Sequence, residues 1–586
     1  MTTNEKHANL RLLNNNHRWH MNKLFPQLQP VFFILLLSPL ILCREKHKTP
    51  SKESINEMDL KRGAVIACGS PDKQLGSVAF EMSCSGERED FNLAMALLHS
   101  FEYDEAEKVF AKIIDKEPDC AMAYWGVAMS NFHPLWAPPS EPELKKGTRA
   151  IKIAQAITKR SKREEGYINA IAAFYDDWNK IDHYSRCLRF EKAMGKLRTE
   201  YPTDKEAAIF YALALDAAAA PTDSSLDKQK KAGEILNALY SAEPDHPGII
   251  HYIIHTYDYP QLAQMALPAA RKYASVAPSS AHALHMPSHI FTRLGLWDEC
   301  IQSNLASVAS GRCYAEAAGI KGHWDEELHG MDYLMYAYLQ KGENQLAKQQ
   351  WNYLNEINAV YPINFKVAYA FAAIPSRYVL ENKSWKEAAN LQMHYSNFPW
   401  KDFQWQEAIV HFARLMGFVH IGNIDSAKAE LKELNLIHDK LVEQKDTYKA
   451  GQVQIQIRAS EAWLRFKEGM NKEALMLMNQ AADAEDKTFK HPVTPCEVIP
   501  ARELLGDLLL QMNKPGEALE AYEMDLKKHP NRFNGLYGAG LAAERAGDLQ
   551  KAGLYYRQLL SMVNPAGSTR PELIPAKQFL NGHSAR

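Results

Sequence analysis

The sequence predicts an all-α fold built from stacked helical hairpins. Three observations carry that prediction: a 34-residue step, a fixed order of small, large and proline positions within the step, and no long strand-like alternation. Ala232, Ala266 and Cys300 are each 34 residues apart, and Pro244 and Pro278 follow the first two by 12. Leu236 and Ala270 hold the larger position after each small one. A unit of this size is one pair of helices that cannot bury its apolar face alone. Neighbours must therefore stack, which gives a solenoid without one large central core.

The N-terminus stands apart from the array. Residues 31–43 are a 13-residue apolar run ending in Cys43, with the polar Arg44-Glu-Lys-His-Lys48 directly after it. That length suits the apolar region of a signal peptide and is short for a membrane span. Residues 1–42 are read as a signal segment, with Met21 as the candidate true start and Cys43 as the candidate lipidation site. Leu42 departs from the small residue that a lipidation box favours, so simple secretion stays open beside lipid anchoring. Residues 43–85 are polar and turn-rich and read as a tether and short cap. In an exported protein Cys68 and Cys84 are the candidate disulfide pair, while Cys120 and Cys300 fall where a small packed residue is expected.

Repeats then run to about residue 565, as an N-terminal array over 86–345 and a C-terminal array over 346–565, with a tail from 566 to 586. Ala106, Phe110 and Pro118 mark the first second helix. Residues 121–130 open the next hairpin, and the prolines of 131–139 forbid its continuation as helix. Later anchors are Ala347, Ala427, Ala474, Ala518 and Ala552, the last two with Tyr522 and Tyr556. Gly506 and Gly540 keep the 34-residue step in the preceding helices, and Trp385–Ala389 is the candidate second helix of a degenerate repeat.

The 34-residue hairpin pattern resembles the tetratricopeptide repeat, which implies a right-handed superhelix with a ligand-binding concave groove. Residues 121–126 (AMAYWG), 133–136 (HPLW), 285–291 (HMPSHIF) and 329–333 (HGMDY) further resemble a group of bacterial tetratricopeptide proteins to which no reaction is attached. That likeness covers roughly residues 85–345.

His251 and His255 lie 34 residues before His285 and His289. Each pair is spaced i,i+4 and shares one helix face. In the tetratricopeptide register both pairs take first-helix positions 5 and 9, which face the groove in that family. Imidazole pairs so spaced are ligands for zinc or copper. In the next repeat His329 falls at position 2 and Asp332 at position 5, with Asp258, His282, His323 and Glu326 close in sequence. Pro287 removes a helical hydrogen bond between the second pair, by kinking the helix or by starting it late. The candidate site is His251, His255, His285, His289, His329, Asp332 and Glu326, with Glu326 or Asp332 as the base in any hydrolysis. The loop with His133 and Trp136 is either a lid on the groove or a packed inter-repeat plug.

Lys plus Arg is 68 against 70 for Asp plus Glu, so nothing in the balance suggests a nucleic-acid binder, which would need a basic patch or stripe, and no nucleic-acid partner is expected. There is no HExxH, CxxC, phosphate loop or nucleophile elbow. Two functional readings follow. The first is an exported, lipid-anchored scaffold in a bacterial cell envelope, touching the membrane only through its anchor and binding a protein, peptide or small ligand. The second is a metalloprotein, a metal-dependent hydrolase or oxidoreductase with zinc or copper in the histidine-lined groove. A docking scaffold requires no cofactor; a metalloprotein requires one.

Overall fold

The computed structural model describes residues 49–70, 74–220, 223–394, 397–564 and 568–583. The signal segment, Met21 and Cys43 lie outside these residues. Among the described residues no helix is long and apolar enough to cross a membrane.

From Arg88 onward helices follow one another as antiparallel hairpins: Arg88–His99 with Tyr103–Lys116, Lys205–Ala217 with Asp227–Tyr240, Pro247–Thr256 with Ala263–Val276, and so on to Phe533–Ala546 with Leu549–Met562. The helix Leu573–His583 covers the last pair. The only strands among the described residues are a two-residue parallel bridge, His323–Trp324 with Val360–Tyr361.

The predicted anchors explain why the hairpins close. Ala106, Ala232, Ala266, Cys300, Ala347, Ala427, Ala474, Ala518 and Ala552 are all fully buried. A small side chain there lets the second helix approach the first, and the larger residue one turn on fills the gap. Gly506 shows the tolerance: a Cβ on it would lie 2.6 Å from the Tyr522 ring, and one on Gly540 would lie 2.5 Å from Tyr556. The steps of 47 residues come from long helices, Trp297–Ala317 and Thr447–Lys467, each of 21 residues. The degenerate repeat is Phe365–Glu381 followed by the single short turn Trp385–Ala389.

Residues 49–84 correct the tether reading. From Leu60 the described residues of this segment, 60–70 and 74–84, lie against the hairpins, bonded through Lys61 and Ile66 to Glu107 and Glu105, through Gly76's neighbour Ser77 to Asp245, and through Gln74 to Ser279. Gly69 and Gly76 have positive φ and no room for a Cβ against Pro278 and Asp245, so glycine is required where the strand-like segment presses on the array. The disulfide pairing also differs from expectation. Cys68 joins Cys313 and Cys84 joins Cys120, because the segment carries Cys68 far along the solenoid and leaves Cys84 beside the first hairpins. Cys300 stays a free buried thiol, as expected.

A second long connection, residues 487–500, crosses the interior between Asn471–Asp486 and Ala501–Gln511. It brings Lys490 to Asp258 (2.7 Å), Val493 to Tyr333 and Cys496 to Tyr369 and Arg377. The C-terminal hairpins also return to the middle of the chain, where Asn531 bonds Gly295 and Trp297. The histidine-bearing helices are thus enclosed by the chain's own residues. The expected open groove is filled at this point.

Candidate metal centre

Three consecutive first helices supply the imidazoles. Pro247–Thr256 begins on proline, with the His246 ring accepting from the Ile249 N–H as its cap, and carries His251 and His255. The next first helix is split into Ala281–His285 and Pro287–Leu294. Ser280 caps it, and Met286 keeps right-handed helical angles at the break, so Pro287 interrupts one bond without turning the chain. This helix carries His282, His285 and His289. Asp325–Gln340 carries His329 and Tyr333.

The rings meet as two trios. His251 Nε2 lies 3.0 Å from His255 Nε2 and 3.1 Å from His282 Nε2. His285 Nε2 lies 3.0 Å from His289 Nε2, and the His329 ring centre is 4.1 Å from that of His285. In each trio one nitrogen or more per ring lies within 4.8 Å of the others. Each trio is an i,i+4 pair completed by a histidine from the following hairpin. The repeat therefore builds the same arrangement twice.

The hydrogen-bond network assigns the tautomers. His251 Nδ1 donates to the His99 carbonyl at 2.7 Å. His285 Nδ1 donates to Asn304 Oδ1 at 2.7 Å, since the Asn304 amide NH2 is committed to the Cys300 carbonyl. His289 Nδ1 donates to Asp258 at 3.0 Å. In the neutral ring each remaining Nε2 is then a bare lone pair. The lone pairs of His285 and His289 face one another at 3.0 Å with no proton to share. The Tyr333 hydroxyl is 3.4 and 3.3 Å from the two nitrogens of His289, off the lone-pair axis of either, and has Val493 as a second acceptor.

In these tautomers the pair would be stabilised by a cation between the two nitrogens. A proton is a poor one here: burial holds His285 well below the usual histidine range, reinforced by His289 and by Lys366 and Lys490. Burial lowers His289 too, although Asp258 opposes it, and pushes His251 down to about 3. Two nitrogens bound tetrahedrally at about 2.0–2.1 Å from one ion stand roughly 3.3–3.4 Å apart. The observed spacing is close to that edge. Donation of Nδ1–H to a carbonyl, an amide or a carboxylate is also the usual outer support of metal-bound histidine.

Around the rings the charges are arranged in closed groups. Asp258 accepts from His289, Arg293 and Lys490. Burial opposes its ionisation, but Lys490 and Arg293 outweigh that and hold it well below the carboxylate range. Lys490 itself is pushed down to about 8 by burial. A narrow cavity of about 10 Å³, room for about one water molecule, lies against the trios, walled by His282, Met286, His289, His329, Trp136, Lys366 and Glu326. One oxygen of Glu326 pairs with Lys366, while its Oε2 is buried without a hydrogen-bond partner.

Most sequence candidates meet here: His251, His255, His285, His289 and His329 as ring donors, Glu326 on the cavity and Trp136 over His255 with ring centres 5.0 Å apart. Asp332 does not. Its carboxylate is bound by the fully buried Arg377 at 2.5 Å, because an enclosed guanidinium requires a counter-charge. His133 also lies apart, paired with Glu143 and packed on Tyr103. His282 and Tyr333 were missing from the candidate site. Helical spacing offered the signal for both, since His282 is one turn before His285 and Tyr333 one turn after His329. The enclosing Lys490 and Lys366 had no such signal.

Comparison with known proteins adds the repeat family. Residues 504–571 match the family described as Tetratricopeptide repeat. The described residues form an all-α solenoid of helical hairpins. Among solved structures it is similar to a tetratricopeptide repeat protein from Parabacteroides merdae (14% identity, 51% of this chain and 97% of that one, TM-score 0.27). It is similar also to human IFIT1 bound to PPP-AAAA (11%, 80% and 94%, TM-score 0.34) and to the Cut9–Hcn1 hetero-tetramer (13%, 85% and 96%, TM-score 0.26). No curated protein matches the chain.

Proposed function

We propose that this chain is a transition-metal-binding protein, a tetratricopeptide-type scaffold whose enclosed histidines hold zinc or copper. The observation that carries the reading is the opposed pair His285 and His289, each fixed through Nδ1 so that two lone pairs converge on one buried point. Such an arrangement is unfavourable when empty and favourable around a cation. A metal held there would act as a Lewis acid on a water molecule, and Glu326, on the wall of the same small cavity with an unpartnered Oε2, would be the acceptor for its proton. The test is elemental analysis of protein purified without metal-affinity resin. At least one zinc or copper per chain is expected, falling away in the His251→Ala/His285→Ala double variant. A folded protein free of metal after incubation with either ion overturns the reading.

The scaffold also suits a protein-binding role, which the matched repeats favour. With the histidine region filled by residues 487–500, a protein or peptide partner docks elsewhere on the superhelix. Export to a bacterial cell envelope belongs to the same proposal. Two disulfides fit an oxidising compartment, and the apolar run before Cys43 fits a lipid anchor. Cys43→Ser should release the protein from membranes; unchanged fractionation would remove the anchor from the proposal.

A further inference from the structure

The geometry points to two copper(I) ions, one on each histidine trio, rather than a single zinc ion. This rests on the reading of the histidines as metal ligands and adds number and identity to it.

The number follows from the repetition. His251, His255 and His282 form one trio, and His285, His289 and His329 the other, each within 4.8 Å. Both contain a ring whose Nδ1 is already spent on an outer acceptor. In the first trio the single lone pair of His251 faces two rings at 3.0 and 3.1 Å and cannot satisfy both as an acceptor. Filling one trio would leave the other with the same unmet need. Three imidazoles at about 2 Å from an ion form a triangle with edges of about 3.5 Å, so rotations of the rings by an ångström or so close either trio. One small cavity is lined by His282 from one trio and by His289 and His329 from the other, so the two sites adjoin.

The identity follows from charge. All six donors are neutral, and no carboxylate or thiolate lies in either trio. The surrounding buried cations Lys490, Lys366 and Arg293 are matched by Asp258, Asp325 and Glu326, which leaves Glu102, bonded to Ser280, as the unmatched carboxylate nearby and too little negative charge for two divalent ions. The cost of burying an ion grows steeply with its charge, so monovalent copper is the less costly guest. Fully buried Met286 is also among the residues lining the cavity with His282 and His289, and a thioether is a soft group that suits copper.

The experiment is anaerobic titration of the full chain with copper(I) against a chromogenic chelator, repeated with a tenfold excess of zinc. Two copper ions per chain are expected, undisturbed by zinc. His282→Ala and His329→Ala should each retain one. The matching Gln variants, which fill the same space, stand in where an Ala variant fails to fold. A wild-type stoichiometry of one, loss of both ions in either variant, or displacement by zinc overturns this inference while leaving metal binding intact. A stoichiometry of zero with zinc and copper alike overturns both.

Discussion

Asn304 separates metal support from ordinary packing, because two substitutions there should move affinity in opposite directions. Its Oδ1 accepts from His285 Nδ1 at 2.7 Å, and its amide donates to the Cys300 carbonyl at 2.8 Å. Asn304→Leu removes the acceptor. The His285 ring is then free to carry its proton on Nε2 and donate it to His289 Nε2, 3.0 Å away, which occupies the point where an ion would bind. Losing an outer partner of a metal-bound histidine typically weakens binding 10–100-fold, or about 1.4–2.7 kcal/mol. Asn304→Asp keeps the acceptor and makes it anionic, which raises the basicity of the ring. Affinity should hold or improve, although the donation to Cys300 is lost in both variants. Chelator competition on folded protein, with circular dichroism as the control, measures the two. Equal weakening in both variants would mean that Asn304 matters through Cys300 alone, and the tautomer argument would fail.

Three further outcomes test the frame around the site. The Cys68–Cys313 bond spans 245 residues and Cys84–Cys120 spans 36, for which chain entropy gives about 5.5 and 3.8 kcal/mol. Paired Cys→Ala variants should lose urea stability in that order, and a reversed order would refute the placement of residues 60–84. His529 is pushed up to about 9, since Asp525 and Glu497 outweigh the burial that opposes its charge. A raised value means its stabilisation, up to about 3 kcal/mol, is complete below pH about 6.5 and fades as pH rises through 9. The wild-type stability difference from His529→Asn should shrink across that window; a difference that grows with pH sinks the assignment. Gly506→Ala, with its Cβ 2.6 Å from Tyr522, should cost about 1–3 kcal/mol. Gly451→Ala, mid-helix with nothing within 4 Å, should instead add up to about 1 kcal/mol, as thermal melts would show.

The hairpins were legible because each is a local device. A buried alanine, a ring one turn later and a proline beyond the second helix each act within one repeat, so spacing alone located Ala518 with Tyr522 and Ala552 with Tyr556. The histidine pairs were legible for the same reason, and the period then implied that they stack. Asp332 shows the limit of that logic. It occupies the slot that His251 and His285 fill, yet its carboxylate serves Arg377 from the next hairpin. Position in a repeat fixes direction, while the partner is fixed by whichever buried charge lacks one. The cysteine pairing was equally hidden, because spacing does not determine connectivity. Nothing periodic marks residues 60–84 or 487–500 as interior, since both act through single contacts to distant hairpins.

Those two irregular segments decide what the solenoid can do. A regular tetratricopeptide array leaves its concave face open, and histidines there would be wetted, mobile and able to protonate. Here Lys490 reaches Asp258 across 232 residues of sequence, and Val493 closes over Tyr333. Water is thereby kept from rings whose tautomers three separate acceptors have fixed. The repeat supplies six equivalent imidazoles, and the irregular segments supply the dry surroundings on which the proposed metal binding rests. On the proposed reading, metal binding and closure of the interior would be one equilibrium, since a guest on the trios would stabilise only the closed chain. Lys490→Ala, which leaves Asp258 with Arg293 and His289, should therefore weaken metal binding and loosen residues 487–500 together. Hydrogen exchange of that segment with and without metal measures the link. Protection that ignores the metal would show that the loop encloses the histidines without depending on what they hold.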